Sequence, residues 1–187
     1  MNSEFGSALL RVFPFAICIF ALRVAVKRNR ISTLDLGLKA PQNINLFFTW
    51  WGFFLAFVVA IEVVLYKLNL LEVTPWHHTF LPSVIRITGM IVLAPVAEEL
   101  LFRGMFLHKL TQWKLNLHVA VLIQAIVFVL LHSFTYQNTV GSNISIIQGL
   151  TDASLFAYAR IQTRSIYTSI AMHATGNSIA VLEQFVL

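Results

Sequence analysis

The stretch AEELLFRG, residues 97–104, places two adjacent glutamates inside a long apolar segment of the chain. Later apolar segments contain His132, His173 and Asn177. Ionisable side chains are costly at membrane depth, so several of them within apolar helices indicate a functional site. The pattern predicts an active site buried among helices.

The composition is that of an integral membrane protein. Of the 187 residues, 58% are hydrophobic and only 11% are charged, whereas about 25% of the residues in soluble domains are charged. The formal net charge is +5. In a membrane protein such an excess of Lys and Arg usually lies in cytoplasmic loops, and nothing in the sequence indicates a nucleic-acid partner. Cys18 is the only cysteine, which excludes an intrachain disulfide and a cysteine-based zinc site.

Six apolar stretches approach the ~20 residues that span about 30 Å of hydrocarbon. They are predicted at about 7–26, 45–66, 83–110, 116–135, 144–161 and 165–187. No repeat or linker divides the chain, so we expect one domain over residues 1–187, with a motif-bearing core at about 83–187. The predicted fold is all-α, a polytopic bundle of about six transmembrane helices around a buried polar site.

Basic residues predict the orientation of this bundle. The loops after the second and fourth stretches contain only Lys67, whereas the other three loops contain Lys27, Arg28, Arg30, Lys39, Lys109, Lys114, Arg160 and Arg164. Because positive loops stay in the cytoplasm, both chain ends are expected outside. We expect a multi-pass protein of a bacterial plasma membrane, with lipid as one partner.

Helical spacing assigns different roles to the two glutamates. Glu99 and Arg103 are four residues apart and share a face, which predicts a buried ion pair that supports the helix. Glu98 points elsewhere and has Ala94 and Phe102 at the corresponding positions. Burial disfavours the charged form of such a carboxylate, which suits an acid or base catalyst.

Two later helices contain polar residues at helical spacing. Gln124, Phe128 and His132 recur every four residues, and His173 and Asn177 lie one turn apart. A lone histidine on an apolar helix is usually a core residue whose ring nitrogens are hydrogen-bonded. Here two apolar helices contain histidines and a third contains the unpaired Glu98, so a shared functional site explains the three better than coincidence does.

Other polar residues receive weaker assignments. Gln148 and Asp152 form a further pair at four-residue spacing, which favours hydrogen bonds between helices over chemistry. Glu62, Arg86 and Glu183 are intramembrane charges that the sequence assigns to no role.

Together these residues resemble the three motifs of the CPBP intramembrane proteases. The motifs are Glu98-Glu99-x-x-x-Arg103, Phe128-x-x-x-His132 and His173-x-x-x-Asn177, in this order on three helices. That family includes CAAX prenyl endopeptidases of the Rce1 type and bacterial Abi proteins. Two further phrases, Phe102-Arg103-Gly104 and Asp35-Leu36-Gly37-Leu38, add to the resemblance, which covers about residues 33–180.

The resemblance implies an intramembrane endopeptidase that cuts a membrane-associated or lipidated protein or peptide. Glu98, assisted by His132, would remove a proton from a water that attacks the scissile carbonyl. His173 and Asn177 would donate hydrogen bonds to the developing oxyanion, a role worth roughly 3 to 4 kcal/mol per donor. The pair formed by Glu99 and Arg103 would hold the first helix.

Alternatives to this mechanism remain open at the level of sequence. A zinc enzyme would use Glu98, His132 and His173 as ligands and a water in the fourth position. We favour the mechanism without a cofactor, because amide and imidazole donors suit an oxyanion and no residues that would orient zinc ligands are readable. A non-catalytic immunity or scaffold protein and a proton-coupled transporter are the alternatives of a different class.

Overall fold

The computed structural model of the protein describes residues 3–132 and 139–187. Within these residues the regular structure consists of six long helices, which are α1 (Ser3–Lys27), α2 (Ile44–Lys67), α3 (Phe80–Gln112), α4 (Leu117–His132), α5 (Val140–Thr163) and α6 (Ile166–Val186). Each helix coincides with one predicted stretch to within a few residues. The all-α prediction is therefore confirmed, whereas residues 133–135 of the predicted fourth stretch lie outside the described residues.

The described helices include three, α1, α2 and α3, that are long and apolar enough to cross a membrane. Large apolar side chains such as Phe13, Phe20, Phe80 and Leu130 are exposed on the outer surface. In a bilayer this surface contacts lipid, so the helices need not bury it against one another. The protein is an integral membrane protein, and the number of six spans stays a prediction.

Helix α3 contains two π-helical stretches, Gly89–Leu93 and Leu100–Phe106. Pro95 lies two residues after the end of the first stretch and lacks a backbone N–H, so the local helix cannot keep a regular ladder of hydrogen bonds there. Glu98 and Glu99 lie in the short α-helical segment Ala94–Glu99 between the two stretches. Such π-helical insertions often occur at functional sites.

Neighbouring helices pack in a ring-like order. Helix α4 packs on α5, α5 packs on α6, and α6 packs on both α2 and α3, while α1 covers the first half of α3. Phe54, Phe156 and Met172 form one fully buried cluster between α2, α5 and α6. This packing places the middle of α3 next to α4, α5 and α6.

The loop after α1 docks onto the turn between α5 and α6. The backbone N–H of Ile166 donates to the carbonyl of Gly37, and Gly37 has a φ of +72° that favours glycine. Leu36 is buried against Gly104 of α3, where an added Cβ would lie 3.1 Å from Cδ2 of Leu36. The two additional phrases of the sequence resemblance therefore contact each other.

The loops after α1, α3 and α5 lie at one end of the bundle, which we call the basic end. Asp35 lies 3.4 Å from His108 near the end of α3, and its backbone carbonyl accepts a hydrogen bond from Arg160 of α5. At the opposite end, Glu4 of α1 accepts hydrogen bonds from Thr79, ahead of α3. The helices therefore alternate in direction, as a membrane bundle with loops of alternating charge requires.

Candidate active site

Three of the predicted site residues meet at the centre of the bundle. Oε2 of Glu98 on α3 lies 3.5 Å from Nε2 of His132 on α4 and 3.6 Å from Nε2 of His173 on α6. The side chains of Glu98 and His173 are only 13% and 9% exposed, whereas that of His132 is 48% exposed. The site is therefore mostly enclosed and opens to the surroundings on the side of His132.

Both imidazole rings are held through their Nδ1 atoms. Nδ1 of His132 lies 2.7 Å from the carbonyl oxygen of Phe128, and Nδ1 of His173 lies 2.9 Å from Oε1 of Glu99. A carbonyl and an ionised carboxylate only accept hydrogen bonds, so both Nδ1 atoms are assigned as donors. Each Nε2 atom is then directed to Glu98.

Glu99 and Arg103 are both fully buried, with Nη1 of Arg103 2.7 Å from Oε1 of Glu99. The same oxygen accepts the hydrogen bond from His173, a contact between α3 and α6 that helical spacing within α3 could not indicate. Arg103 also donates to the carbonyl of Ala153 on α5. Glu99 thus links the first motif to the third, besides pairing with its own helix.

Aromatic rings surround these charged groups. The guanidinium of Arg103 lies 4.7 Å from the ring centroid of Phe128 and 5.3 Å from that of Phe156. Phe156 also stacks on His173, and Phe128 lies against His132. These rings keep water from the ion pair, which strengthens its electrostatics. Phe156 was not among the predicted site residues, since no spacing within α5 singles it out.

Asn177 lies one turn after His173, and its side-chain Nδ2 donates to the carbonyl of Met90 at 2.7 Å. Met90 belongs to the π-helical stretch, where Ala94 N–H bonds to the carbonyl of Gly89 and the next residue is Pro95. The carbonyl of Met90 therefore has no N–H within α3 at the expected positions, and Asn177 supplies one. One N–H of the carboxamide is occupied, and no acceptor among the described residues takes the other.

A cavity of about 470 Å³ opens beside His132. It runs between the ends of α2 and α4 and the beginning of α5, and its lining includes Glu72, Phe128, Ser145 and Gln148. Gln148 donates to Glu62 of α2 at 3.0 Å, which confirms the predicted hydrogen bond between helices for this residue. The cavity therefore reaches the side of the site where His132 is exposed.

The residue types around Glu98 also match those that bind zinc. A carboxylate or carbonyl on the Nδ1 atom is the usual orienting partner of a metal-binding histidine, and Glu99 and Phe128 provide such partners, which the sequence did not reveal. However, the described part of the chain contains no three His, Cys, Asp or Glu side chains in position to hold one metal ion. The catalytic roles proposed below are therefore assigned to side chains alone.

The fold and the site together define an all-helical membrane protein with a glutamate and two histidines enclosed in its centre. The family model of type II CAAX prenyl endopeptidase Rce1-like proteins matches residues 80–179, which is more than half of the chain and includes all three motifs. The chain belongs to this family, which confirms the resemblance seen in the motifs. No curated protein and no solved structure matches the chain.

Proposed function

We propose that this membrane protein is a CAAX-type endopeptidase in which Glu98 activates the attacking water without a metal ion. The observation that supports the proposal best is the position of Oε2 of Glu98 between the Nε2 atoms of His132 and His173. A base must lie within reach of the proton that it removes, directly or through one water. A water between these groups meets that condition.

The first step uses Glu98 and His132. With its Nδ1–H donated to Phe128, the neutral ring of His132 presents an accepting Nε2. A water can then donate one hydrogen to this nitrogen and the other to Glu98. As the water oxygen attacks the scissile carbonyl carbon, Glu98 takes its proton, and it later returns the proton to the leaving nitrogen as the C–N bond breaks.

The oxyanion that forms in this step needs hydrogen-bond donors. His173 can donate from Nε2 only as an imidazolium, because its Nδ1–H is bonded to Glu99. The second N–H of Asn177 is the other candidate donor. Preorganised donors of this kind contribute roughly 3 to 4 kcal/mol each to the stabilisation of such an intermediate.

The substrate is proposed to be a membrane-associated peptide, with or without a lipid group, that reaches the site through the cavity beside His132. Exposed backbone groups of an extended peptide would find polar partners there in Ser145 and Gln148. The opening is close to α2, one of the helices able to cross a membrane. A substrate held at the bilayer surface can therefore approach without leaving the lipid.

The test is cleavage of a peptide that ends in a prenylated cysteine motif by purified protein in liposomes, with cut sites identified by mass. Glu98→Gln is expected to lower kcat about 10²- to 10⁴-fold, the contribution of a general base. Glu183→Gln is the control for loss of a carboxylate in a helix that contributes to the site. An unchanged kcat in folded Glu98→Gln would contradict the proposal.

The same assay tests the zinc alternative and the alternatives of a different class. A metal-free mechanism keeps its full rate after prolonged incubation with a chelator, whereas a zinc enzyme loses it and recovers on addition of zinc. A scaffold protein or a transporter cleaves no peptide at all. A transporter would in addition move protons or solute across the liposome membrane in a manner that depends on Glu98.

A further inference from the structure

A second cavity, of about 630 Å³, lies between α3, α4 and the loop that follows α1. We call it the α3–α4 crevice. Its walls are apolar and include Leu101 and Met105 of α3 and Val127 and Leu131 of α4. Leu101 and Leu131 are 37% and 49% exposed, so the crevice is open along the surface that contacts lipid.

The rim of the crevice at the basic end is cationic. Arg30 and Lys109 line it, both are exposed, and neither forms an ion pair with any other described residue. The acid at this rim, Asp35, lies 3.4 Å from Nε2 of His108. Two free cations therefore stand at the mouth of an apolar crevice.

Local structure holds Arg30 at this position. Helix α1 ends at Lys27, Asn29 after it has a left-handed φ of +53°, and the N–H of Arg30 bonds to the carbonyl of Ala25 at 3.0 Å. This helix ending reverses the chain and fixes the backbone of Arg30 beside the crevice. Lys109 lies in the last turns of α3, so the two cations come from different elements and face one cavity.

The length of the crevice suits one acyl chain. From Lys109 to Leu101 the helix rises about 12 Å at ~1.5 Å per residue. One leaflet of the hydrocarbon core is about 15 Å thick, half of the total. A chain that lies along the apolar wall would therefore place its headgroup at the level of the two cations.

Aromatic side chains separate the crevice from the proposed active site. Phe102 lines the crevice, Phe128 lines the cavity beside His132, and the two rings are in edge contact at a centroid distance of 5.0 Å. A group in the crevice is thus on the other side of this aromatic pair from Glu98. The crevice does not lead a peptide bond to the reacting groups.

We propose that the α3–α4 crevice binds one anionic phospholipid from the leaflet at the basic end, with its phosphate on Arg30 and Lys109 and an acyl chain along Leu101, Met105, Val127 and Leu131. The charges select an anionic headgroup, because each Lys or Arg near a membrane surface attracts such lipids. The apolar walls select a long chain. This inference goes beyond the proposed peptidase activity and does not depend on it.

The experiment measures lipid binding to the delipidated full-length protein in nonionic detergent by native mass spectrometry. Phosphatidylglycerol is compared with phosphatidylcholine of the same acyl chains, with glycerol phosphate and with a farnesylated peptide. We expect one phosphatidylglycerol per chain, bound about 10-fold or more tightly than phosphatidylcholine. Binding of glycerol phosphate with the same affinity, or preferential saturation of the crevice by the farnesylated peptide, would overturn the proposal.

Variants locate the lipid within the crevice. Arg30→Gln with Lys109→Gln is expected to weaken phosphatidylglycerol binding about 10- to 30-fold, which corresponds to roughly three- to fivefold per charge. The matched control is Arg28→Gln with Lys114→Gln, which removes two exposed charges of the same end that do not line the crevice. Val127→Trp fills the crevice and should lower binding with all charges intact. Equal losses in the control pair, or no loss in Val127→Trp, would show general surface attraction instead and refute the proposal.

Discussion

Nδ1 of His173 lies 2.9 Å from Oε1 of Glu99, the oxygen that also lies 2.7 Å from Nη1 of Arg103. One carboxylate oxygen therefore binds a cation of its own helix and an imidazole 74 residues further along the chain. This arrangement sets which nitrogen of His173 faces Glu98. Glu99 is consequently a positioning residue as well as half of an ion pair.

Replacing Glu99 by leucine should lower kcat more than it changes KM. Leucine has no acceptor for the Nδ1–H of His173, which in the parent protein bonds to the same Oε1 atom as Arg103. Loss of such an orienting partner typically costs about 10- to 100-fold in activity. Steady-state kinetics in liposomes, with the folded fraction measured in parallel, test this. A change confined to KM would contradict the positioning role.

Removal of Arg103 alone should lower the free energy of unfolding more than joint removal of Arg103 and Glu99. Arg103→Leu leaves the fully buried Glu99 with His173 as its one remaining partner among the described residues, and breaking a buried ion pair costs about 3–5 kcal/mol. Glu99→Leu with Arg103→Leu removes both charges and should recover part of that stability without restoring activity. Unfolding in detergent measures the four free energies, those of the parent protein, of Arg103→Leu, of Glu99→Leu and of the double variant. Strictly additive losses would show that the two charges are not coupled.

Asn177→Ala should affect both stability and rate, and Pro95→Ala separates the two effects. Loss of the carboxamide leaves the carbonyl of Met90 unpaired, at a cost of about 1–3 kcal/mol. In Pro95→Ala the restored N–H can bond within α3, so the stability cost of Asn177→Ala should shrink.

If Asn177 donates to the oxyanion, its effect on kcat should persist in the Pro95→Ala background. A loss of one oxyanion donor is worth about 10²- to 10³-fold in kcat. The measurement is a double-mutant cycle carried out for unfolding free energy and for kcat. Disappearance of both effects together would assign Asn177 to the support of α3 alone.

Gly104→Val should destabilise the protein by about 1–3 kcal/mol, because added groups must displace the buried Leu36. A Cβ at this position already lies 3.1 Å from Cδ2 and 3.5 Å from Cα of Leu36. Gly52→Val on α2 is the matched control, since a Cβ there meets nothing within 4 Å. Thermal unfolding in detergent compares the pair, and equal midpoints would refute the close contact.

The helices could be predicted from the sequence because apolar stretches and residue spacing are local signals. Apolar stretches of membrane length predicted the six described helices to within a few residues, and four-residue spacing predicted the ion pair of Glu99 with Arg103. The order of the three motifs indicated the family, and the family match over residues 80–179 confirms it. The two π-helical stretches of α3 were not predicted, although Pro95 was a readable signal for the first.

The amino-acid sequence by itself determined the membrane class, the helices and the residues able to do chemistry, since composition and spacing along one helix are sufficient for these. Only the tertiary structure decided which of those residues touch. The contacts of Glu98 with both histidines, of Glu99 with His173 and of Asn177 with Met90 join separate helices. They depend on the rotation and tilt of each helix, which packing against several neighbours sets and no single helix specifies.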